Sequence, residues 1–221
     1  MRAADAAPTL DVERELFAAS GAPFLIAVDE VGRGALAGPV AVGMVVIAPE
    51  MPAFPAGLRD SKLLKEAVRE ELAPLCAAWG LFSAVGEATP AEIDEHGIVT
   101  ALGIAGWRAL GALRAAGAAV DAASVLLDGN HDWLNPVLES RMWVTTRIKA
   151  DLACASVAAA SVIAKVHRDR GMIALHESFP GYGWGSNKGY GSAAHLAAIA
   201  ELGPSEHHRR TWIHSSPAAI D

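Results

Sequence analysis

Asp29 and Glu30 are adjacent carboxylates that close an apolar run, Phe24-Leu25-Ile26-Ala27-Val28, and a Gly32-Arg33-Gly34 turn follows them. Two hard oxygen ligands on a rigid strand suit Mg²⁺ or Mn²⁺. Successive strand side chains alternate between faces, so both acids reach one site only if the chain bends there. Gly32 and Gly34 permit that bend and let another group approach the backbone closely. Backbone N–H groups in such a turn suit a phosphate or a sugar hydroxyl. Taken alone, the segment reads equally well as a hairpin tip with a solvated acid pair.

Two more acids occupy comparable places. Asp128 ends Val125-Leu126-Leu127 and precedes Gly129-Asn130, and Asp151 follows Arg147-Ile148-Lys149-Ala150 before a long Ala-rich segment. Singly, Asp128-Gly129 is a turn signal and Asp151 a helix N-cap. Together, carboxylates at the ends of several elements of an α/β sheet make a cage for a divalent cation.

The elements that must position these acids follow from periodicity and punctuation. Strands are expected at 24–28, 40–47, 80–88, 124–127 and 142–146. Helices are expected at 10–19, 62–78, 90–116, 152–179 and 195–202. Thr89-Pro90-Ala91-Glu92 is a capping box, so Glu92, Asp94 and Glu95 suit a first-turn role at the positive end of a helix. The third helix is expected to break near one of Gly97, Gly103, Gly106 or Gly111. Residues 180–191 form a Gly-rich loop. The order indicates an α/β domain.

The chain has 221 residues, is 52% hydrophobic and carries a net charge of −7. That supports one compact domain, alone or with a small appendage; the expected division is an N-terminal helical extension at 1–20, a main domain at 21–203 and a polar basic tail at 204–221. Residues 1–140 carry 9 basic and 19 acidic side chains, but residues 141–221 carry 9 basic and 6 acidic ones. A basic face on an acidic protein can hold a polyanion, because screening makes local charge count. Cys76 and Cys154 are too few for a disulfide framework and sit in apolar contexts, which suits a reduced, cytoplasmic protein. No secretory signal is visible, and the early uncharged run from Ala35 to Pro49 is too short to span a bilayer, so no membrane role is expected.

The chain resembles the ribonuclease HII family, the type 2 ribonucleases H, over roughly residues 22–215. The matching segments are Asp29-Glu30-Val31-Gly32-Arg33-Gly34 with Leu36-Ala37-Gly38-Pro39-Val40, Asp60-Ser61-Lys62, Glu92-Ile93-Asp94, Leu127-Asp128-Gly129-Asn130 and Ile148-Lys149-Ala150-Asp151. Ala158 through Asp169, Tyr182-Gly183-Trp184, Asn187-Lys188-Gly189-Tyr190-Gly191 and His195 match as well. Val31, Gly97 and Ala150 depart from the usual alanine, asparagine and glycine.

The resemblance implies a ribonuclease-H-like fold, a mixed sheet flanked by helices with a helical C-terminal part. It implies that Asp29, Glu30, Asp128 and Asp151 hold Mn²⁺ or Mg²⁺. It implies that Gly32-Arg33-Gly34 touches the 2′-hydroxyl of a ribonucleotide and that Tyr190 packs on the next, deoxy sugar, with Tyr182 as the second choice. The implied reaction is hydrolysis of the RNA strand of an RNA/DNA hybrid. It extends to cleavage 5′ of ribonucleotides embedded in duplex DNA, leaving 3′-hydroxyl and 5′-phosphate ends, as part of ribonucleotide removal. Two cations roughly 3.5–4 Å apart would serve such a displacement. The enzyme is expected to act as a monomer.

Lys62, Lys149, Lys165, Arg168 and Lys188 are the candidate phosphate contacts, with Lys165 and Arg168 one turn apart on a helix. Arg33 suits a phosphate or a structuring role in the turn equally. His207-His208-Arg209-Arg210 reads as a polar end with local phosphate contacts. A resolvase or integrase on the same fold would share clustered acids without needing a ribose-reading turn. A non-catalytic hybrid-binding module would be expected to lack an acid, and a small-molecule phosphatase would not need the basic C-terminal part.

Overall fold

The structure, a computed structural model, describes residues 7–213. Residues 1–6 of the expected N-terminal extension and 214–221 of the expected tail lie outside them. In chain order the main elements are α1 (Asp11–Ser20), β1 (Phe24–Val31), β2 (Val40–Ile47), α2 (Glu66–Trp79), β3 (Phe82–Ala88) and α3 (Pro90–Ala115). They continue with β4 (Ala123–Asp128), β5 (Val144–Arg147), α4 (Ala150–Ala153), α5 (Ala155–Ser178), α6 (Trp184–Asn187) and α7 (Ala193–Leu202). The sheet order is β3-β2-β1-β4-β5. β1, β2 and β3 pair antiparallel, whereas β1, β4 and β5 run parallel.

The sheet is buried on both faces, which explains strands such as β2 in which every residue is buried. Ile26 and Val28 pack with α3 on one face, and Leu25 and Ala27 pack with α1, α2 and α5 on the other. Helix α5 approaches β2 so closely that a Cβ on Gly43 would stand 2.5 Å from the Ala160 carbonyl oxygen. Small residues on both sides make that contact possible. Helix α3 is long and apolar enough to cross a bilayer, but ten of its positions are buried, most of them in the core on the sheet. It starts with the expected capping box and kinks at Gly97, whose φ is 76°.

Both ends of the described chain pack against the rest of the molecule. Phe17 packs in the α5-side core, and Glu13 accepts hydrogen bonds from the Ser156 N–H and hydroxyl at the start of α5. After α7, His208 and Arg209 are buried, and Asp94 of α3 caps the Arg210 and Thr211 N–H groups. The expected local phosphate contacts in this segment are therefore corrected for His208 and Arg209. Cys76 and Cys154 are free and buried, and burial pushes both thiols up to about 12, which leaves no thiolate nucleophile.

Candidate metal centre and nucleic-acid interface

The expected strand ending at Val28 in fact runs to Val31, so Asp29 and Glu30 lie inside β1 and the bend comes after them. By strand alternation Asp29 shares the α5 face with Leu25 and Ala27, and Glu30 shares the α3 face with Ile26 and Val28. The two acids converge because they stand at the sheet's end. The parallel pairing of β1 with β4 places Val28 beside Leu127, so the next step brings Asp29 beside Asp128. Asp151 is delivered by the short helix α4, whose Ala150 N–H donates to Asp128 Oδ1 at 2.6 Å. The left-handed residue at this corner is Lys149, with φ 59°, so alanine at position 150 needs no unusual backbone.

Electrostatics tie these acids together. Burial raises the Asp29 carboxyl well above the usual range, and Glu30 and Asp128 push the same way. Burial also raises Glu30 and Asp128, with Asp128 acting on Glu30 and Asp151 acting on Asp128. Lys62 supplies countercharge: its Nζ donates to Asp151 Oδ2 at 3.1 Å, and Asp29, Asp151 and Asp60 hold its pKa up against burial. Among the described residues, no three His, Cys, Asp or Glu side chains are drawn into one ion-sized cluster. The donor chemistry nonetheless fits a hard divalent cation. All four groups are carboxylates, Asp29 is 3% exposed, and Glu30 Oε2 is buried without a hydrogen-bond partner.

The Gly32-Arg33-Gly34 turn is clamped from beneath by two buried arginines. Arg209 donates to the carbonyls of Gly32 (2.6 Å), Arg33 (2.8 Å) and Gly38 (3.2 Å). Arg168 donates to Pro39, Ala37 and Lys188 carbonyls at 2.8, 3.0 and 2.9 Å. A Cβ on Gly32, where φ is +82°, would stand 2.1 Å from Arg168 Nε, so only glycine fits there. The clamp turns the Gly32 and Arg33 carbonyls inward. Arg33 itself is largely exposed, 3.6 Å from Glu30.

The candidate phosphate contacts divide. Lys62 and Lys149 are exposed beside the acids. Arg168 is 0% exposed and committed to backbone carbonyls, so its reading as a phosphate contact is corrected. Lys188 is also buried, with Nζ donating to the Gly185 carbonyl, and is corrected likewise. Lys165 is half-buried and ion-paired with Asp169 at 2.7 Å. The helix face on which Lys165 and Arg168 stand looks toward Tyr190, not solvent: Lys165 Nζ and Arg168 Cζ lie 5.6 and 5.5 Å from its ring centroid. Tyr190 keeps an open ring. Tyr182 is buried, stacked on Trp184 at 5.0 Å and bonded through its hydroxyl to the Gly203 carbonyl, which removes it as an alternative stacking platform. The Arg209 clamp is the main feature that sequence reasoning missed. A cleft of about 770 Å³ between Trp107 and Trp143 lies at the opposite ends of β1 and β4, and none of the four acids lines it.

The chain is also similar to known proteins. The family model for "Ribonuclease HII" matches residues 26–215. A ribonuclease HII from Streptomyces griseus is 47% identical over 208 residues, covering 93% of this chain and 84% of the relative. The crystal structure of the ribonuclease H2 from Pyrococcus horikoshii OT3 superposes with a TM-score of 0.66 at 27% identity, covering 86% of this chain and 93% of that one. Bst-RNase HIII, solved in complex with Mn²⁺, shares the fold at 21% identity and a TM-score of 0.64, covering 91% of this chain and 64% of its own. The mixed sheet is thus a ribonuclease-H-like fold, and the chain belongs to the ribonuclease HII family of nucleases.

Proposed function

We propose that this protein is a metal-dependent endonuclease that hydrolyses the RNA strand of RNA/DNA hybrids and cuts on the 5′ side of ribonucleotides embedded in duplex DNA. The observation that carries the reading is the juxtaposition of a carbonyl-clamped glycine turn with four carboxylates from three elements. Asp29, Glu30, Asp128 and Asp151 would hold Mn²⁺ or Mg²⁺. Held there, such cations would supply the positive charge that activates water and offsets charge on the phosphate and the leaving oxygen, with 3′-hydroxyl and 5′-phosphate ends as the expected products.

The chain's own groups bind and orient. The 2′-hydroxyl is both donor and acceptor and is what separates RNA from DNA. Gly32, Arg33 and Gly34 offer it backbone groups with no side chain in the way. Lys62, Lys149 and Arg33 are exposed cations near the acids and meet the backbone phosphates. Tyr190 presents a ring to the deoxy sugar that follows the ribonucleotide. The enzyme acts as a cytoplasmic monomer in the removal of ribonucleotides from DNA.

The direct test uses a DNA duplex carrying one ribonucleotide, with Mn²⁺, Mg²⁺ or chelator, and an all-DNA duplex as control. A single cut 5′ of the ribonucleotide, dependent on the cation and absent from the control, is expected. An intact ribonucleotide duplex under both cations overturns the reading. Tyr190→Phe keeps the ring and is expected to keep the junction preference. Tyr190→Ala removes a stacking contact of about 1–3 kcal/mol and is expected to weaken cleavage at the junction roughly tenfold. Competition between junction and all-RNA-strand substrates measures it.

A further inference from the structure

His195 and His208 are buried away from the acids, and every ring nitrogen of the pair has a partner. Trp184 Nε1–H can only donate, and it lies 3.0 Å from His195 Nε2. That nitrogen therefore carries no proton. The proton sits on His195 Nδ1 and is donated to the Tyr190 carbonyl at 2.9 Å. His208 Nε2 is 3.2 Å from His195 Nε2, so His208 supplies the proton of that bond. His208 Nδ1 is then an acceptor, and the Ser205 N–H donates to it at 3.0 Å. One pair of tautomers gives every ring nitrogen a partner, with the single lone pair of His195 Nε2 shared between the Trp184 and His208 donors, and both rings are neutral. Burial favours this state: it pushes His208 down to about 4, with His195 and His207 adding to the effect, and it lowers His195 too.

The backbone extends the chain of contacts in both directions. His208 bridges Ala37, Gly38 N–H donates to the His207 carbonyl, and Arg209 N–H donates to the Leu36 carbonyl. The next side chain is the Arg209 guanidinium on the Gly32 and Arg33 carbonyls. On the other side, the Gly189 carbonyl accepts from Leu36 N–H at 2.8 Å, next to Tyr190. The turn and the tyrosine, far apart in sequence, are thus joined directly by the Leu36 and Ala37 N–H bonds to Gly189 and by Arg168, and a second time through the two rings.

We propose that the His195–His208 pair is a positioning unit that holds the Tyr190 ring and the Gly32-Arg33-Gly34 turn at a fixed separation, and so sets selectivity for a ribonucleotide followed by a deoxynucleotide. This rests on the roles assigned above to the turn and to Tyr190. A pair that merely stabilised the C-terminal segment would affect all substrates alike. A positioning pair acts where both contacts are needed at once.

The test uses the full chain with two single variants: His195→Phe, which removes all three bonds of that ring, and His208→Gln, which keeps a donor to His195. Hydrogen exchange is followed at residues 32–38 and 187–192, and cleavage is followed on a single-ribonucleotide duplex and a long hybrid. In His195→Phe both segments are expected to exchange faster together. KM on the single-ribonucleotide duplex is expected to rise about tenfold with kcat changed less than about threefold, and KM on the long hybrid to rise less than about threefold. His208→Gln, which keeps that donor, is expected to stay close to wild type in both exchange and KM. Faster exchange in one segment only, or equal KM changes on the two substrates, overturns the proposal. If the wild-type chain cuts neither substrate, the functional reading fails separately, and exchange alone decides whether the two segments are coupled. Should His195→Phe not fold, His208→Asn, which keeps the acceptor for Ser205 and loses the donor to His195, carries the same measurements.

Discussion

Asp128→Asn is expected to lower turnover roughly a thousandfold, a barrier increase of about 4 kcal/mol, while the melting temperature holds. The fold survives because the bond that Asp128 makes is one that asparagine can keep: its Oδ1 accepts the Ala150 N–H. What disappears is one negative charge among four acids, in a site where burial and like charge already raise Asp29, Glu30 and Asp128. That repulsion is what a divalent cation relieves. Adding Mn²⁺ should therefore raise the melting temperature of the wild-type protein more than that of the variant. Protons compete at the same oxygens. Since the three pKa values are raised, protonation begins at a higher pH than for ordinary carboxylates, and apparent cation affinity weakens as pH falls through them. Single-turnover rates in saturating Mn²⁺, with calorimetry beside them, measure this. A wild-type rate in the variant removes Asp128 from the site.

Arg209→Met is expected to cost about 3–5 kcal/mol and to lower the melting temperature by on the order of 10 °C. The substitution keeps most of the side-chain volume but takes their side-chain donor from the Arg33 and Gly38 carbonyls and leaves the Gly32 carbonyl only the Ala35 N–H. Burial and the neighbouring Arg168 already lower the pKa of this guanidinium, so its charge is tolerated only because those carbonyls receive it. Activity should fall further than stability explains, because the turn then loses its inward-facing carbonyls. Thermal unfolding and cleavage measured well below the transition separate the two effects. A melting temperature within about 2 °C of wild type would show that the clamp carries little.

The acids were legible in the sequence because each closes an apolar run or opens a helix, and topology alone brings such positions together. The strand limits were read short at β1 because a carboxylate ordinarily ends a strand; here the sheet's own end receives Asp29 and Glu30. The arginines were misread for a different reason. Arg168 and Arg209 bond to backbone carbonyls, and a carbonyl acceptor leaves no mark on residue type. A buried arginine and a phosphate-binding one therefore look alike in sequence. Lys188 illustrates the same limit, since its φ of 50° and its contact with the Gly185 carbonyl depend on the loop's path. Tyr182 and Tyr190 were separable only by burial, which depends on where α7 and the residues after it pack.

The bond from Arg209 to Gly32 spans 177 positions, and its acceptor lies in the turn just after the first strand made. During synthesis the sugar-reading loop emerges long before its brace. A nascent chain halted before that arginine would carry β1 and its acids without the means to hold the loop shut beneath. On the function proposed above, competence to cut is expected only once translation has passed nearly all of the domain.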